Sequence, residues 1–188
     1  MVTVRKERPA EAAARDALLD LAYGPGRFTK TSERLREGRR AELALVAVDG
    51  GRIVGTVRLW QVSAGPDQGA LLLGPLAVAP DRRRRGIGST LMHHALREAA
   101  RRHHGAVLLV GDAPYYSRFG FSSEKTSALW LPGPYERHRL LGYELKPGAL
   151  DGARGLISAR SPLEQRPELA TLVAGLVHSD TSLAPHAA

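Results

Sequence analysis

Between residues 78 and 87 the hydrophobic pattern of this chain changes period. Residues 70–78 form an apolar run, short enough for a buried strand and interrupted only by Gly74-Pro75. From Gly86 onward Ile87, Leu91, Met92, Ala95, Leu96, Ala99 and Ala100 recur at helical spacing, to about residue 103, with Arg97, Glu98, Arg101 and Arg102 on the opposite face. The join holds Arg82-Arg83-Arg84-Arg85 and then Gly86-Ile87-Gly88. A strand end, a glycine-bearing turn and the start of an amphipathic helix must therefore follow one another directly. The free N–H groups of the helix's first turn point into that loop.

The remaining pattern is arranged around this unit. Residues 2–4 read as a short first strand, 9–22 as a helix with Pro9 in its first turn, and 31–37 as a short polar helix capped by Thr31 or Ser32. Residues 43–48 and 53–60 flank Asp49-Gly50-Gly51 and predict a hairpin. Within it Thr56, Arg58 and Trp60 alternate with Val57 and Leu59, which predicts one covered and one wetter face. Residues 63–69 read as a loop, and the following strand is expected to bulge or separate at Pro75, because proline cannot donate to a ladder. Downstream, 107–110 predicts a buried strand, 112–118 a short helix, Phe119-Gly120-Phe121 the start of another strand, and 139–145 the last strand. A single domain over 1–160 is expected, with a tail over 161–188. An apolar stretch at 169–177 suits a docked helix and a loosely held one equally, and the last residues of the tail are expected to be disordered.

Composition removes several classes of function. There is no cysteine, which excludes a disulfide framework, a thiolate zinc site and an acyl-cysteine intermediate. Hydrophobic residues make up 43% and charged residues 24%, the balance of a foldable globular domain. Eight charged residues among the first twenty leave no apolar core for a signal peptide, and no apolar run approaches the ~20 residues of a membrane helix. A cytoplasmic protein without membrane contact is expected. The net charge is +8, and lysine stands only at positions 6, 30, 125 and 146, so arginine carries the excess. An arginine excess draws polyanions, either nucleic acid or a phosphorylated small molecule. The compact run 82–85 carries no interleaved aromatics, which argues against nucleic acid.

A helix N-terminus behind a two-glycine loop is a phosphate site: the glycines allow close backbone approach, and Arg83, Arg84 or Arg85 can add charge-assisted hydrogen bonds. A dinucleotide fingerprint would need a third glycine where Leu91 stands, and a P-loop would need a Gly-Lys pair that is missing. Arg83-x-x-Gly86-x-Gly88 instead resembles the pyrophosphate loop of the GNAT superfamily of N-acetyltransferases. Beyond the helix, Tyr115-Tyr116-Ser117-Arg118-Phe119-Gly120-Phe121 resembles that family's Tyr-x-x-x-Gly-Phe segment. The two motifs keep the family's order and spacing, and the resemblance is sharp over about 70–121.

The resemblance implies a mixed α/β fold: a mostly antiparallel twisted sheet of six to seven strands with a splayed central pair and helices on both faces. It implies acetyl-CoA as cosubstrate and direct transfer of the acetyl group to a primary amine, with no metal and no acyl-enzyme. Leu76, Ala77 and Val78 match the splayed strand, whose unpaired backbone meets the pantetheine arm and, near Val78, the acetyl oxygen. Arg83, Arg84, Arg85, Gly86, Ile87, Gly88 and Ser89 match the pyrophosphate loop, and Tyr116 matches the general acid that protonates the leaving thiolate. A non-catalytic CoA-binding module on the same fold is the alternative.

Other residues carry less. Tyr115 reads as packing, and Arg82 with one other member of its run as solvated. His93-His94 and His103-His104 lack completing ligands; only His94 and Glu98 share a helix face. Asp67, Asp112, Glu33 and Glu136 are candidate bases by loop position alone, a water chain serves equally, and no base is assigned. Segments 23–37 and 130–139 are expected to line the acceptor pocket without naming the acceptor, and the last strand is available for pairing in a homodimer.

Overall fold

A computed structural model describes residues 1–164; the apolar stretch 169–177 and the residues after it lie outside the described part. Along the chain come β1 (Thr3–Lys6), α1 (Ala12–Tyr23), α2 (Thr31–Arg34), β2 (Leu43–Asp49), β3 (Arg52–Ala64), β4 (Gly69–Val78) and α3 (Ile87–Arg101). They are followed by β5 (Ala106–Val110), α4 (Ala113–Tyr116), β6 (Leu129–Trp130), β7 (Leu140–Glu144) and β8 (Gly155–Ala159). The sheet runs β1-β2-β3-β4-β5-β7, with β8 on the far end of β3 and β6 beside β8. Among the described residues only β4 with β5 and β6 with β8 are parallel.

The sheet is covered on both faces. Ile87 and Leu91 of α3 lie against Gly55, on the face that also carries Val57 and Leu59, and Leu91, Met92, Ala95 and Ala99 are fully buried there. Each of the larger side chains contributes about 1.5–3 kcal/mol by leaving water. The opposite face, expected to be wetter, is covered as well. Arg58 lies 3.6 Å from Glu7, which also binds Arg15 of α1, and Thr56 and Trp60 are buried. A charged residue in an alternating strand marks a wet face only when no partner waits above it, and here Glu7 waits above Arg58.

Four expectations are corrected. Among the described residues there are eight strands rather than six or seven, and 140–144 is not the last: β8 follows and pairs with Val62, Ser63 and Ala64. For the same reason β3 continues to Ala64, well past residue 60. Phe119-Gly120-Phe121 leads into no strand; Ser122 makes one isolated bridge to Gly142 and the chain turns away.

The central opening is where the sequence put it. β5 pairs with β4 only at Leu71, Leu72 and Leu73. Beyond Leu73, β4 stays on β3 as far as Val78 opposite Gly55 but has no strand neighbour on its other side among the described residues. At that point the β3–β4 register slips: Leu59 faces Leu73 while Val57 faces Leu76, so Gly74 and Pro75 together oppose Arg58.

Candidate active site

The opening between β4 and β5 forms a cleft of about 360 Å³, lined by Leu73, Gly74, Pro75 and Leu76 on one side and Val110, Gly111 and Asp112 on the other. Ala79 donates its N–H to the Val54 carbonyl. In an extended strand alternate residues turn their peptide groups to opposite edges, so Leu76 and Val78 turn theirs away from β3. Of the three strand residues singled out from sequence, Leu76 lines the cleft, Ala77 is buried in the core, and Val78 lies outside the cleft lining. The Leu76 carbonyl accepts a hydrogen bond from the Tyr23 hydroxyl.

Tyr116 stands on the other wall. Its backbone N–H and that of Tyr115 donate to the Asp112 carbonyl at 3.1 and 3.0 Å, which closes the single turn of α4. Its ring packs edge-on against Tyr115 at 4.9 Å and against Phe121 at 6.0 Å. A Cβ on residue 111 would meet that ring at 2.2 Å, so a side chain there would displace Tyr116. The ring lines the cleft, and burial, more than the neighbouring tyrosines, pushes its hydroxyl pKa above the ordinary phenol value. Tyr116 therefore holds its proton across the physiological range.

The glycine turn is built at the head of α3. Gly86 takes a left-handed conformation at φ 76°, which only glycine adopts without strain, and its carbonyl accepts from the N–H and hydroxyl of Thr90. No side chain caps the amides that open α3, and a Cβ at Gly86 would meet nothing within 4 Å. Gly88 is closely approached, by the Tyr115 hydroxyl. Arg83, Arg84, Arg85 and Gly86 are exposed, Gly88 and Ser89 half-buried, and Ile87 is buried as the anchor of the turn. Arg84 itself sits at φ 61°. Arg83 Nε reaches back to the Val78 carbonyl at 3.5 Å. Arg82 is not solvated as expected: it pairs with Asp49 and Asp81 at 3.3 and 2.8 Å.

The candidate bases scatter. Glu33 and Asp112 line the cleft, and Glu136 lines an adjoining pocket that shares Lys30, Ser32, Val110 and Arg139 with it. Asp67 belongs to the β3–β4 turn, at the opposite end of β4. Glu33 is tied to Arg36 at 2.6 Å. Residues not singled out from sequence complete the cleft, among them Tyr23, Arg27, Arg36 and Arg139. They belong to the two segments expected to line the acceptor pocket, but no spacing marks which of their side chains turn inward.

A family model of the acetyltransferase (GNAT) domain matches residues 40–123, the stretch from β2 through α4 that holds both motifs. The N-acetyltransferase YhbS of Escherichia coli is 31% identical over 156 residues, 82% of this chain and 93% of the relative. The chain belongs to the GNAT family of N-acetyltransferases. As a GNAT protein it is an acyltransferase with the mixed α/β fold of that family. The crystal structure of E. coli YhbS in complex with CoA superposes with a TM-score of 0.73, covering 88% of this chain and 96% of the other at 31% identity. A GNAT acetyltransferase from Brucella melitensis, in complex with acetyl-CoA, superposes at 0.58, covering 80% and 99% at 28% identity. Among the described residues of this GNAT protein no helix is long and apolar enough to cross a membrane.

Proposed function

We propose that this GNAT protein moves an acetyl group from acetyl-CoA directly to the primary amine of an acceptor, with the first-turn amides of α3 holding the pyrophosphate. One observation carries the reading: the outward-facing peptide of Leu76 and the protonated phenol of Tyr116 line the same cleft. In this reading the pantetheine arm lies along the free edge of β4. The thioester carbonyl accepts from an outward N–H, that of Leu76 or of Val78, which meets the charge that develops on oxygen. The amine nitrogen bonds to the carbonyl carbon, the C–S bond breaks, and Tyr116 gives its proton to the departing sulfur. The amine's surplus proton then passes to the phenolate or to water. The absence of cysteine from the sequence suits a direct transfer. A cytoplasmic location follows from use of acetyl-CoA.

The supporting comparisons are the CoA and acetyl-CoA complexes of the two related structures. The test is a thermal-shift series with acetyl-CoA, CoA, NADH and ATP, followed by thiol release over an amine panel. A ligand at a hundred times its dissociation constant adds about 2.7 kcal/mol of stability. Stabilisation by acetyl-CoA and CoA is expected; stabilisation by NADH alone would overturn the reading.

A further inference from the structure

Four cations line the cleft, Arg27, Lys30, Arg36 and Arg139, against two carboxylates, Glu33 and Asp112. None of the four belongs to the arginine run before α3, and the thioester end of an acyl-CoA carries no charge, so the cosubstrate does not account for them. Two are partly neutralised nearby: Arg27 binds Asp20 at 2.7 Å, and Arg139 lies 3.8 Å from Glu136. Lys30 lies over the Tyr23 ring at 4.8 Å and, among the described residues, has no carboxylate within 4 Å.

Arg36 is the residue that needs explaining. Its side chain is 6% exposed, and only Nη2 is bonded, to Glu33 at 2.6 Å and more weakly to Ser32 at 3.4 Å. Its Nε is buried without a partner. Nη1 makes no hydrogen bond among the described residues and lies 3.4 Å from where a Cβ on Gly74 would stand, at the point where β4 leaves β5. A buried guanidinium with open donors is costly until an acceptor reaches it. Burial also pulls the Arg36 pKa down, the direction expected of an under-compensated cation.

We propose that the acceptor is a small amine that carries its own anion, a carboxylate or a phosphate, and that this anion docks on Arg36 with Lys30 supplying the second charge. The inference rests on the acetyl-transfer reading and names its substrate class. A cleft of about 360 Å³ that must also take the thioester end leaves room only for a small acceptor, of amino-acid size. The cations also disfavour the ammonium form of a bound amine, which helps produce the neutral nucleophile without a dedicated carboxylate base.

The test is thiol release from acetyl-CoA with paired acceptors: α-amino acids against their own amides, and O-phosphoethanolamine against ethanolamine. The anionic member of at least one pair is expected to have the higher kcat/KM, tenfold or more, through KM. The amino-acid and phosphate pairs separate the two sources of the anion. Lys30→Gln, on an exposed side chain, and Arg36→Gln should both shrink the gap, with the lysine variant decisive if loss of the buried Arg36–Glu33 pair prevents folding. Equal or better use of neutral or polycationic amines, or acetyl-CoA binding with neither anionic series accepted, overturns the inference while leaving acetyl transfer standing. Calorimetry that detects no acetyl-CoA binding overturns the acetyl-transfer reading instead.

Discussion

The hydroxyl oxygen of Tyr115 lies 2.9 Å from where a Cβ on Gly88 would stand, so the second residue of α3 has room for hydrogen alone unless that phenol moves. Gly88→Ala must push Tyr115 aside or tilt the turn whose amides are proposed to grip pyrophosphate. CoA affinity is expected to fall about tenfold, equivalent to about 1.4 kcal/mol. Adding Tyr115→Phe removes the crowding oxygen and should restore part of the loss. Titration calorimetry on the parent, both single variants and the double variant checks this; parental affinity in Gly88→Ala alone would detach the turn from CoA binding.

Tyr116→Phe keeps the ring packed against Phe121 and removes only the proton donor. Turnover is expected to fall about a hundredfold, within the range for loss of general acid catalysis, with acetyl-CoA affinity unchanged. Burial raises the Tyr116 pKa, so the acid form persists to higher pH than in a free phenol. The parental rate should therefore show no loss attributable to this group at or below pH ~10, the reference value for tyrosine. An unchanged rate in Tyr116→Phe would remove the phenol from the mechanism.

The two structural features of the candidate site, the turn before α3 and the break beside β4, were legible because each rests on a local signal. A change from strand to helical period at Gly86 needs no tertiary information, and Pro75 announces the break in β4 by lacking an N–H. Arg36 was not legible: its burial depends on Trp60, Gly74 and Glu33 meeting around it, and those come from three separate elements. β8 was missed because Gly155-Leu156-Ile157-Ser158-Ala159 buries only Ile157 fully, leaving Leu156 55% exposed, so it carries little alternating pattern of its own. It becomes a strand because β3 runs long enough to offer it an edge.

That edge gives a stability test and a test of where the domain ends. Ile157 is fully buried, and Ile157→Ala is expected to cost about 2–5 kcal/mol in urea unfolding. Ser161 lies beyond β8 yet accepts the Gln61 N–H on Oγ at 2.8 Å, and Glu164 donates its N–H to the Gly38 carbonyl. These bonds tie residues 161 and 164, expected to belong to the tail, to the body of the fold. A chain ending at 164 should unfold cooperatively, and one ending at 154 should be markedly less stable than it. Equal stability of the two would deny β8 a structural role.

Acid stability should carry the mark of Glu11. Its carboxylate accepts from Arg5 Nη1 at 2.9 Å and from the Arg8 N–H at 2.8 Å, and the Arg5 bond, more than the backbone one, lowers its pKa to about 2. A carboxyl whose pKa is lower folded than unfolded contributes stability above its unfolded value. That contribution is lost as the pH falls through the folded one. The window is therefore from about pH 4.3, the reference for glutamate, down to about 2. Glu11→Gln should flatten the fall in melting temperature across that window and leave the slope above pH 5 unchanged. The same acid slope in both proteins would contradict the assignment.

Tyr23 tests whether the free edge of β4 is used at all. Its hydroxyl donates to the Leu76 carbonyl, the outward-facing acceptor that the proposed pantetheine arm needs. If the arm donates an amide N–H to that carbonyl, Tyr23 must first release it, and the gain on binding is the difference between two similar hydrogen bonds. Tyr23→Phe leaves the carbonyl open. Acetyl-CoA affinity should then rise by about 0.5–1.5 kcal/mol, the net worth of one hydrogen bond, or roughly two- to tenfold in Kd. The Phe ring keeps most of the packing, so thermal stability without ligand should fall by no more than the same amount. Unchanged or weaker affinity would mean that the arm does not use Leu76, and the contact would have to pass to Val78, the next outward-facing residue of the strand.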